Sequence, residues 1–217
     1  MKNRSDSLRK MILMALLAAI AYIIVALIRI PVVAFLSYEP KDVVITVGGF
    51  LLGPLASFII SLLVSLVEMV TISQTGPIGC LMNLISTCSF ACVASIIYKK
   101  KHSINGAVMG LLAGTVSMIV VMLLWNWLIT PLYMGVTRQV VESMLLTTFL
   151  PFNALKAGLN TALILILYKP LTLSLRKARL LPDTGKASGS AKLGIYLVGA
   201  FLLAVCILLL LVLQGKI

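Results

Sequence analysis

Four polar side chains lie inside or beside long apolar segments of this 217-residue chain: Asn126, Asn153, Lys156 and Asn160. An amide or a charge is costly in hydrocarbon unless it has a partner or lines a cavity, so such residues commonly mark a binding site. The last three follow one another at spacings of three and four, which places them on one face of a helix. We therefore predict that this face points into a helical bundle and forms a polar site within a membrane. The alternative is that the amides only join helices to each other.

The chemistry of these side chains indicates a type of ligand. An amide presents a donor and an acceptor side by side, whereas a lysine only donates. This combination is complementary to a flat heterocycle with an imide or lactam edge. Aromatic side chains near the same segments are candidates for stacking on such a ring, although Trp and Tyr also collect at membrane interfaces. They are Phe35, Tyr38, Trp125, Trp127, Tyr133 and Phe152.

Motifs for catalysis, metal binding and nucleotide binding are missing from the sequence. The single histidine, His102, lies in a basic loop, which leaves no Ser-His-Asp triad and no HExxH zinc motif. Gly185-Lys186 is followed by Ala187 and is therefore not a P-loop. The four cysteines, Cys80, Cys88, Cys92 and Cys206, lack CxxC spacing and are interpreted as small apolar residues. We predict no enzyme, no catalytic cofactor and no metal site.

The composition is that of an integral membrane protein, because 61% of the residues are hydrophobic and only 11% are charged. Apolar runs at about 11–30, 55–72, 81–98, 105–130, 149–168 and 193–213 approach or exceed the length of a spanning helix. The segment 43–52 is too short to span and should pack inside protein. We read the first run as a retained helix, because it lacks a small-residue cleavage site.

The net charge of +12 is concentrated in connections next to the apolar runs. This placement favours contact with lipid headgroups over binding to nucleic acid. Basic residues precede the first run, follow the run ending at 98 and follow the run ending at 168. By the positive-inside rule these connections, and the N-terminus, face the cytoplasm.

This topology predicts that the polar side chains meet in the outer half of the bundle. Glu68 is near the outer end of its helix, Asn83 begins the next and Asn126 is near the end of the one after. We expect Glu68 to neutralise Lys156, because an unpaired buried charge is costly. Two outer connections, 35–42 and 131–147, are candidates for a lid.

Local signals predict where two helices begin. Asp42 is placed to cap the short helix. Thr148, followed by Pro151, is placed to begin the helix that carries Lys156.

Three regions are predicted along the chain. Residues 1–180 form the bundle, 181–192 form a linker rich in Gly and Ser, and 193–217 carry an accessory lipid-facing helix.

Several ordered motifs resemble a known family from about residue 8 to residue 180. They are Tyr38-Glu39-Pro40-Lys41-Asp42-Val43, Gly48-Gly49-Phe50-Leu51-Leu52-Gly53-Pro54, Glu68-Met69, Thr75-Gly76-Pro77-Ile78-Gly79, Met82-Asn83-Leu84-Ile85-Ser86-Thr87, Leu124-Trp125-Asn126, Thr130-Pro131-Leu132-Tyr133-Met134-Gly135-Val136 and Phe149-Leu150-Pro151-Phe152-Asn153-Ala154-Leu155-Lys156. The family is RibU, the riboflavin-binding S components of energy-coupling factor (ECF) transporters.

The resemblance implies an all-α membrane bundle of six helices, one of them short, with the C-terminal helix as an addition. It implies a subunit that captures riboflavin from outside and works with a transmembrane coupling subunit and two cytoplasmic ATPases. It also implies that Asn126, Asn153 and Lys156 hold the isoalloxazine ring, and that Ala15 and Ala19 contact the coupling subunit. The candidate ligand-binding residues are Leu36, Tyr38, Asp42, Thr46, Glu68, Asn83, Trp125, Asn126, Asn153, Lys156 and Asn160.

Two other functions remain open at this point. An S component for another vitamin would share the bundle and the Ala15/Ala19 pair. A self-sufficient secondary transporter would couple Glu68 and Lys156 to proton movement.

Overall fold

The computed structural model describes residues 2–33, 36–73, 75–177 and 193–216. Within these ranges the chain is a bundle of helices with one small hairpin of strands. The elements are α1 (Lys2–Leu27), β1 (Ile30–Val33), β2 (Leu36–Tyr38), α2 (Lys41–Leu52), α3 (Pro54–Thr71), α4 (Gly76–Lys100), α5 (Ile104–Met134), α6 (Arg138–Met144), a π-helical turn (Leu145–Phe149), α7 (Leu150–Lys177) and α8 (Leu193–Leu213).

Six helical segments of the described part are long and apolar enough to cross a membrane. They are Ser7–Leu27, Pro54–Thr71, Gly76–Lys100, Ile104–Met134, Arg138–Leu167 and Tyr196–Leu213. Helix α2 has only 12 residues, nine of them buried, and is enclosed by α1, α3, α4 and α7. The predicted helical bundle with one short element and a further C-terminal helix is confirmed.

The hairpin of β1 and β2 was not predicted. The strands pair antiparallel, with Ile30 opposite Tyr38 and Pro31 opposite Ser37. Pro31 has no N–H to donate, which suits a strand at the edge of a two-stranded sheet. The first candidate lid, 35–42, therefore supplies only the second strand of the hairpin and the first two residues of α2. Phe35 lies outside the described residues.

Helices α1, α3 and α5 end, and α2 and α4 begin, at the same end of the bundle, which brings several connections together there. The hairpin, the connection 72–75, the connection 135–137 and the C-terminal end of α8 share this end, which we call the hairpin end. The basic cluster Lys99–Lys101 lies at the opposite end. The separation agrees with the charge asymmetry of the sequence.

The second candidate lid is much shorter than predicted. Helix α5 continues through Pro131 to Met134, and helical structure resumes at Arg138. The prediction that a helix begins at Thr148 was therefore wrong, because the chain is helical on both sides of this residue. Thr148 lies in the π-helical turn immediately before Pro151. The local signal marks an irregular turn within a helix, where the backbone hydrogen bonds change register.

Helix α8 is more than a lipid-facing segment. One side packs along α7, where Cys206 is buried, while Leu197, Phe201 and Leu208 on another side are exposed. The predicted linker 181–192 lies outside the described residues. The division of the chain into three regions stays a prediction.

Helices α4 and α5 approach each other closely because two glycines of α5 face backbone atoms of α4. A Cβ at Gly110 would lie 2.6 Å from the carbonyl oxygen of Ala94, and a Cβ at Gly114 would lie 2.6 Å from that of Phe90. These contacts are too short for any side chain. Gly110 and Gly114, which are four residues apart, thus serve packing inside the bundle.

We expect Gly114→Ala to destabilise the bundle by about 1–3 kcal/mol, because the methyl group forces the two backbones apart. This loss should occur although alanine favours helix by about 1 kcal/mol over glycine. Thermal unfolding of the purified protein in detergent measures the effect. Gly194→Ala is the matched control, since a Cβ there meets no atom within 4 Å. Equal unfolding temperatures for the two variants would contradict the proposed close contact.

Candidate functional site

A cavity of about 110 Å³ lies among α3, α4, α5, α7 and the hairpin, at the hairpin end of the bundle. Most of the sequence-predicted ligand-binding residues line it. They are Leu36, Glu68, Asn83, Trp125, Asn126, Asn153 and Lys156. The predicted convergence of polar groups near one end of the bundle is therefore present in the fold.

The four remaining candidates form a buried layer beside the cavity and do not line it. Tyr38 donates from its hydroxyl to Oδ1 of Asn160 at 3.0 Å, and Nδ2 of Asn160 donates to Oδ2 of Asp42 at 3.3 Å. Thr46 donates to the backbone carbonyl of Asp42 at 2.7 Å. These residues hold Asp42, which in turn contacts Lys156.

Asn126 and Asn153, two of the asparagines that line the cavity, are both held by a backbone carbonyl of their own helix. Nδ2 of Asn153 donates to the carbonyl of Phe149 at 2.8 Å, and Nδ2 of Asn126 donates to the carbonyl of Met122 at 2.7 Å. A carbonyl only accepts, so each contact fixes which atom of the amide is nitrogen and which is oxygen. Both side chains are thereby locked against their own helices.

The oxygen atoms of the two amides differ in whether they accept a hydrogen bond. Oδ1 of Asn126 accepts a hydrogen bond from Thr130 at 2.9 Å. Oδ1 of Asn153 is buried and has no hydrogen-bond partner among the described residues. Buried polar atoms nearly always have partners, and an exception needs an explanation. Here the unpaired atom is an acceptor on a side chain that lines the cavity.

Lys156 pairs with Asp42 and not with Glu68. Its Nζ lies 3.3 Å from Oδ2 of Asp42 and 3.4 Å from Oγ of Ser86. Oδ1 of Asp42 accepts a further bond from Thr87 at 2.7 Å. The predicted ion pair was wrong because α2 enters between α3 and α7 and supplies the acid itself. Asp42 lies in the first turn of α2 and makes no cap contact, so the predicted N-cap role was also wrong.

Glu68 is neutralised by Lys41, the residue adjacent to Asp42. Nζ of Lys41 lies 2.5 and 2.6 Å from the two oxygens of Glu68, and Nδ2 of Asn83 donates to Glu68 at 2.9 Å. Adjacent residues of a helix point about 100° apart. Lys41 therefore faces α3 while Asp42 faces α7.

Glu39 joins this cluster to the end of α1. Its carboxylate lies 2.8 Å from Nζ of Lys41 and 3.1 Å from Nε of Arg29. Burial opposes its ionisation, but the cations of Lys41, Lys156 and Arg29 outweigh burial and hold the pKa of Glu39 below its ordinary value. The cluster thus contains three acids, Glu39, Asp42 and Glu68, and three bases, Arg29, Lys41 and Lys156. Their formal charges sum to zero.

Three aromatic side chains line the cavity, namely Trp125, Tyr133 and Phe152. Trp127, by contrast, is not part of the cavity lining. Its ring lies under the guanidinium of Arg138 at 4.7 Å, and its Nε1 donates to Glu142 at 3.0 Å. Of the aromatic candidates on α5, Trp125 and Tyr133 are therefore available to a ligand, and Trp127 fastens α6 to α5.

Sequence reasoning left several polar residues of the site unassigned, and four of them have clear contacts or positions. Glu39 and Thr130 line the cavity, Ser86 contacts Lys156, and Lys41 is fully buried beside Glu68. The sequence did contain a signal for Lys41. This charged residue stands just before an apolar segment that is too short to span a membrane, which could have indicated that it is buried inside protein with that segment. Thr130 follows Asn126 by four residues, which is the spacing of neighbours on a helix.

The model of the family described as "ECF transporter, substrate-specific component" matches residues 9–168. The chain belongs to this family. Its members are transport components, and the buried polar cavity has the form expected of a substrate site in such a protein. Helix α8 lies beyond the matched residues.

Curated relatives and a solved structure agree with this assignment. The riboflavin transporter RibU of Staphylococcus aureus (strain TCH60) is 26% identical over 178 residues, covering 78% of this chain and 93% of the relative. The riboflavin transporter FmnP of Bacillus subtilis (strain 168) is 26% identical over 177 residues, with 75% and 93% covered. The solved structure, described as the S component of a bacterial ECF transporter, superposes with a TM-score of 0.66 at 26% identity. It covers 81% of this chain and 99% of its own.

The residues predicted to contact a partner lie away from the cavity. Ala15 and Ala19 are on the exposed side of α1, whereas Leu13, Leu17 and Ala21 form its buried side. The two alanines are thus free of contacts that would compete with another protein chain.

We expect Asp42→Asn to destabilise the bundle by about 3–5 kcal/mol, because it leaves the buried ammonium of Lys156 without its carboxylate. Adding Lys156→Met should recover part of this loss by removing the unpaired charge. Thermal unfolding in detergent of the parent, both single variants and the double variant measures the coupling. Glu142→Gln, which alters only an exposed contact, is the control. Additive effects of the two substitutions would contradict the pairing.

Proposed function

We propose that this protein is the riboflavin-capturing S component of an ECF importer. The observation that carries the proposal is the unpaired Oδ1 of Asn153, an acceptor that lines a cavity together with the ammonium of Lys156 one helical turn away. Membership of the S-component family supports the transport role. The names of the two curated relatives support riboflavin as the ligand.

The chemistry of riboflavin fits the arrangement of donors and acceptors. The isoalloxazine ring has an imide N–H between two carbonyl groups. The imide N–H is suited to the acceptor of Asn153, and the ring carbonyls and nitrogens are suited to the donors of Lys156 and Asn126. Because the amides are already locked, little conformational freedom is lost on binding.

Apolar contact would supply most of the binding energy. Trp125, Tyr133 and Phe152 offer faces and edges for the flat ring, and Met82, Met122 and Ile129 belong to the apolar lining. The polar groups then fix the orientation of the ring, as is usual in small-molecule sites.

The proposal includes an orientation and partners. The charge asymmetry supports an N-terminus in the cytoplasm and a cavity that opens to the outside of a prokaryotic plasma membrane. We propose that a transmembrane coupling subunit contacts the exposed side of α1 at Ala15 and Ala19, and that two cytoplasmic ATPases supply the energy. Lipid surrounds the apolar outer faces of the bundle.

We expect Asn153→Leu and Lys156→Met each to weaken riboflavin binding by about tenfold or more, equivalent to about 1.4 kcal/mol. The first removes one directed polar contact, and the second removes such a contact together with the counter-ion of Asp42. Quenching of flavin fluorescence during titration of the purified protein measures the affinity. Thr115→Val is the control, since Thr115 bonds to Thr161 outside the cavity lining.

Unchanged affinity in both site variants would overturn the assignment of the site. A parent protein that binds another vitamin and no flavin would indicate an S component of different specificity. Riboflavin uptake by vesicles that contain this chain and no ATPase would indicate a secondary transporter.

For Ala15→Trp and Ala19→Trp we expect unchanged riboflavin affinity and loss of uptake in cells, because a bulky side chain blocks close approach of another helix. Uptake of labelled riboflavin, normalised to protein in the membrane, checks this outcome. Leu112→Trp, at an exposed position of α5 away from α1, is a control for general disturbance. Retained uptake in both alanine variants would exclude this face as the docking surface.

A further inference from the structure

Helix α8 is bound tightly to the side of α7 opposite the cavity. A Cβ at Gly158 of α7 would lie 2.7 Å from Sγ of Cys206, and a Cβ at Gly199 of α8 would lie 3.1 Å from Cγ1 of Ile166. Each helix thus places a glycine where the other places a larger group. This complementarity fixes the register of α8 against α7.

The C-terminal end of α8 also reaches the hairpin. Nε2 of Gln214 donates to the carbonyl oxygen of Pro31 at 2.6 Å. Leu210 and Leu213 pack with Ile30 and Val33 in one apolar cluster. Because β1 is an edge strand, its outward carbonyls are available to a donor from another element.

The hairpin held by α8 is a wall of the cavity. Leu36 and Ser37 of β2 and the flanking Arg29 and Glu39 line it. The other side of the hairpin is tied to α7 through the hydroxyl of Tyr38 and Asn160. Movement of the hairpin away from α7 would therefore open the cavity, and α8 contacts both elements that must separate.

We propose that α8 is a brace that holds the hairpin closed over the cavity, and that Gln214 is the positioning residue of this brace. The brace slows release of the ligand without touching it. Its effect on ligand release rests on the proposed function, whereas its effect on the hairpin does not. The residues that match the family model end at 168, so the brace is an addition to the matched bundle.

The first test replaces Gln214 and follows the hairpin directly. In Gln214→Ala, we expect amide hydrogen exchange of residues 30–38 to be faster by about two- to tenfold in the protein without ligand, the effect of losing one hydrogen bond. Riboflavin dissociation, followed by stopped-flow fluorescence, should accelerate by a similar factor. Val212→Ala, on the exposed side of α8, is the matched control and should change neither rate.

The second test disturbs the packing of α8 against α7. Gly158→Ala places a methyl group against Cys206 and should accelerate both processes. Adding Cys206→Ala removes the opposing sulfur and should restore both rates towards those of the parent.

The outcomes separate the brace from the proposed ligand. Unchanged hydrogen exchange of residues 30–38 in Gln214→Ala would overturn the brace, whatever the ligand. Faster exchange with unchanged riboflavin dissociation would overturn its role in release. If the parent does not bind riboflavin but exchange accelerates as expected, the brace stands and the proposed function fails.

Discussion

Neutralisation of buried charge is the constraint around which the hairpin end is organised. Lys41 and Asp42 are adjacent, both are almost fully buried, and each has its counter-ion on a different helix. A buried ion left without its partner costs several kcal/mol. The first turn of α2 must therefore lie between Glu68 of α3 and Lys156 of α7. Helix α2 is too short to span the membrane, and this requirement fixes its position within the bundle.

The same constraint connects stability to ligand binding. Lys156 belongs both to the ion pair with Asp42 and to the lining of the cavity, so the group that offers a donor to a ligand is held by the group that stabilises α2. The asparagines are held differently, through carbonyls of their own helices. The binding surface is thus rigid before a ligand arrives, and the part that remains to move is the hairpin, which is tied by a few side-chain contacts.

Helix α7 has the central position in this arrangement. One face carries Asn153, Lys156 and Asn160, while Gly158 on another face receives α8. The π-helical turn before it changes the register of the helix just ahead of Asn153. A π-helical turn is often found at a functional site. The carbonyl of Phe149, the last residue of this turn, accepts the hydrogen bond from the side chain of Asn153.

The sequence by itself determined the membrane bundle, the short helix and the clustering of polar groups, because hydrocarbon length and the helical period restrict where polar side chains are tolerated. The spacing of Asn153 and Lys156 also predicted correctly that both lie on one face of the same helix. Only the tertiary structure decided that Lys156 pairs with Asp42 and Glu68 with Lys41, since ion pairing depends on which helices are neighbours. The hairpin and the contact of Gln214 with Pro31 were likewise beyond the sequence. The contact joins residues that are far apart along the chain, and the strands of the hairpin have too few residues to give a periodic signal.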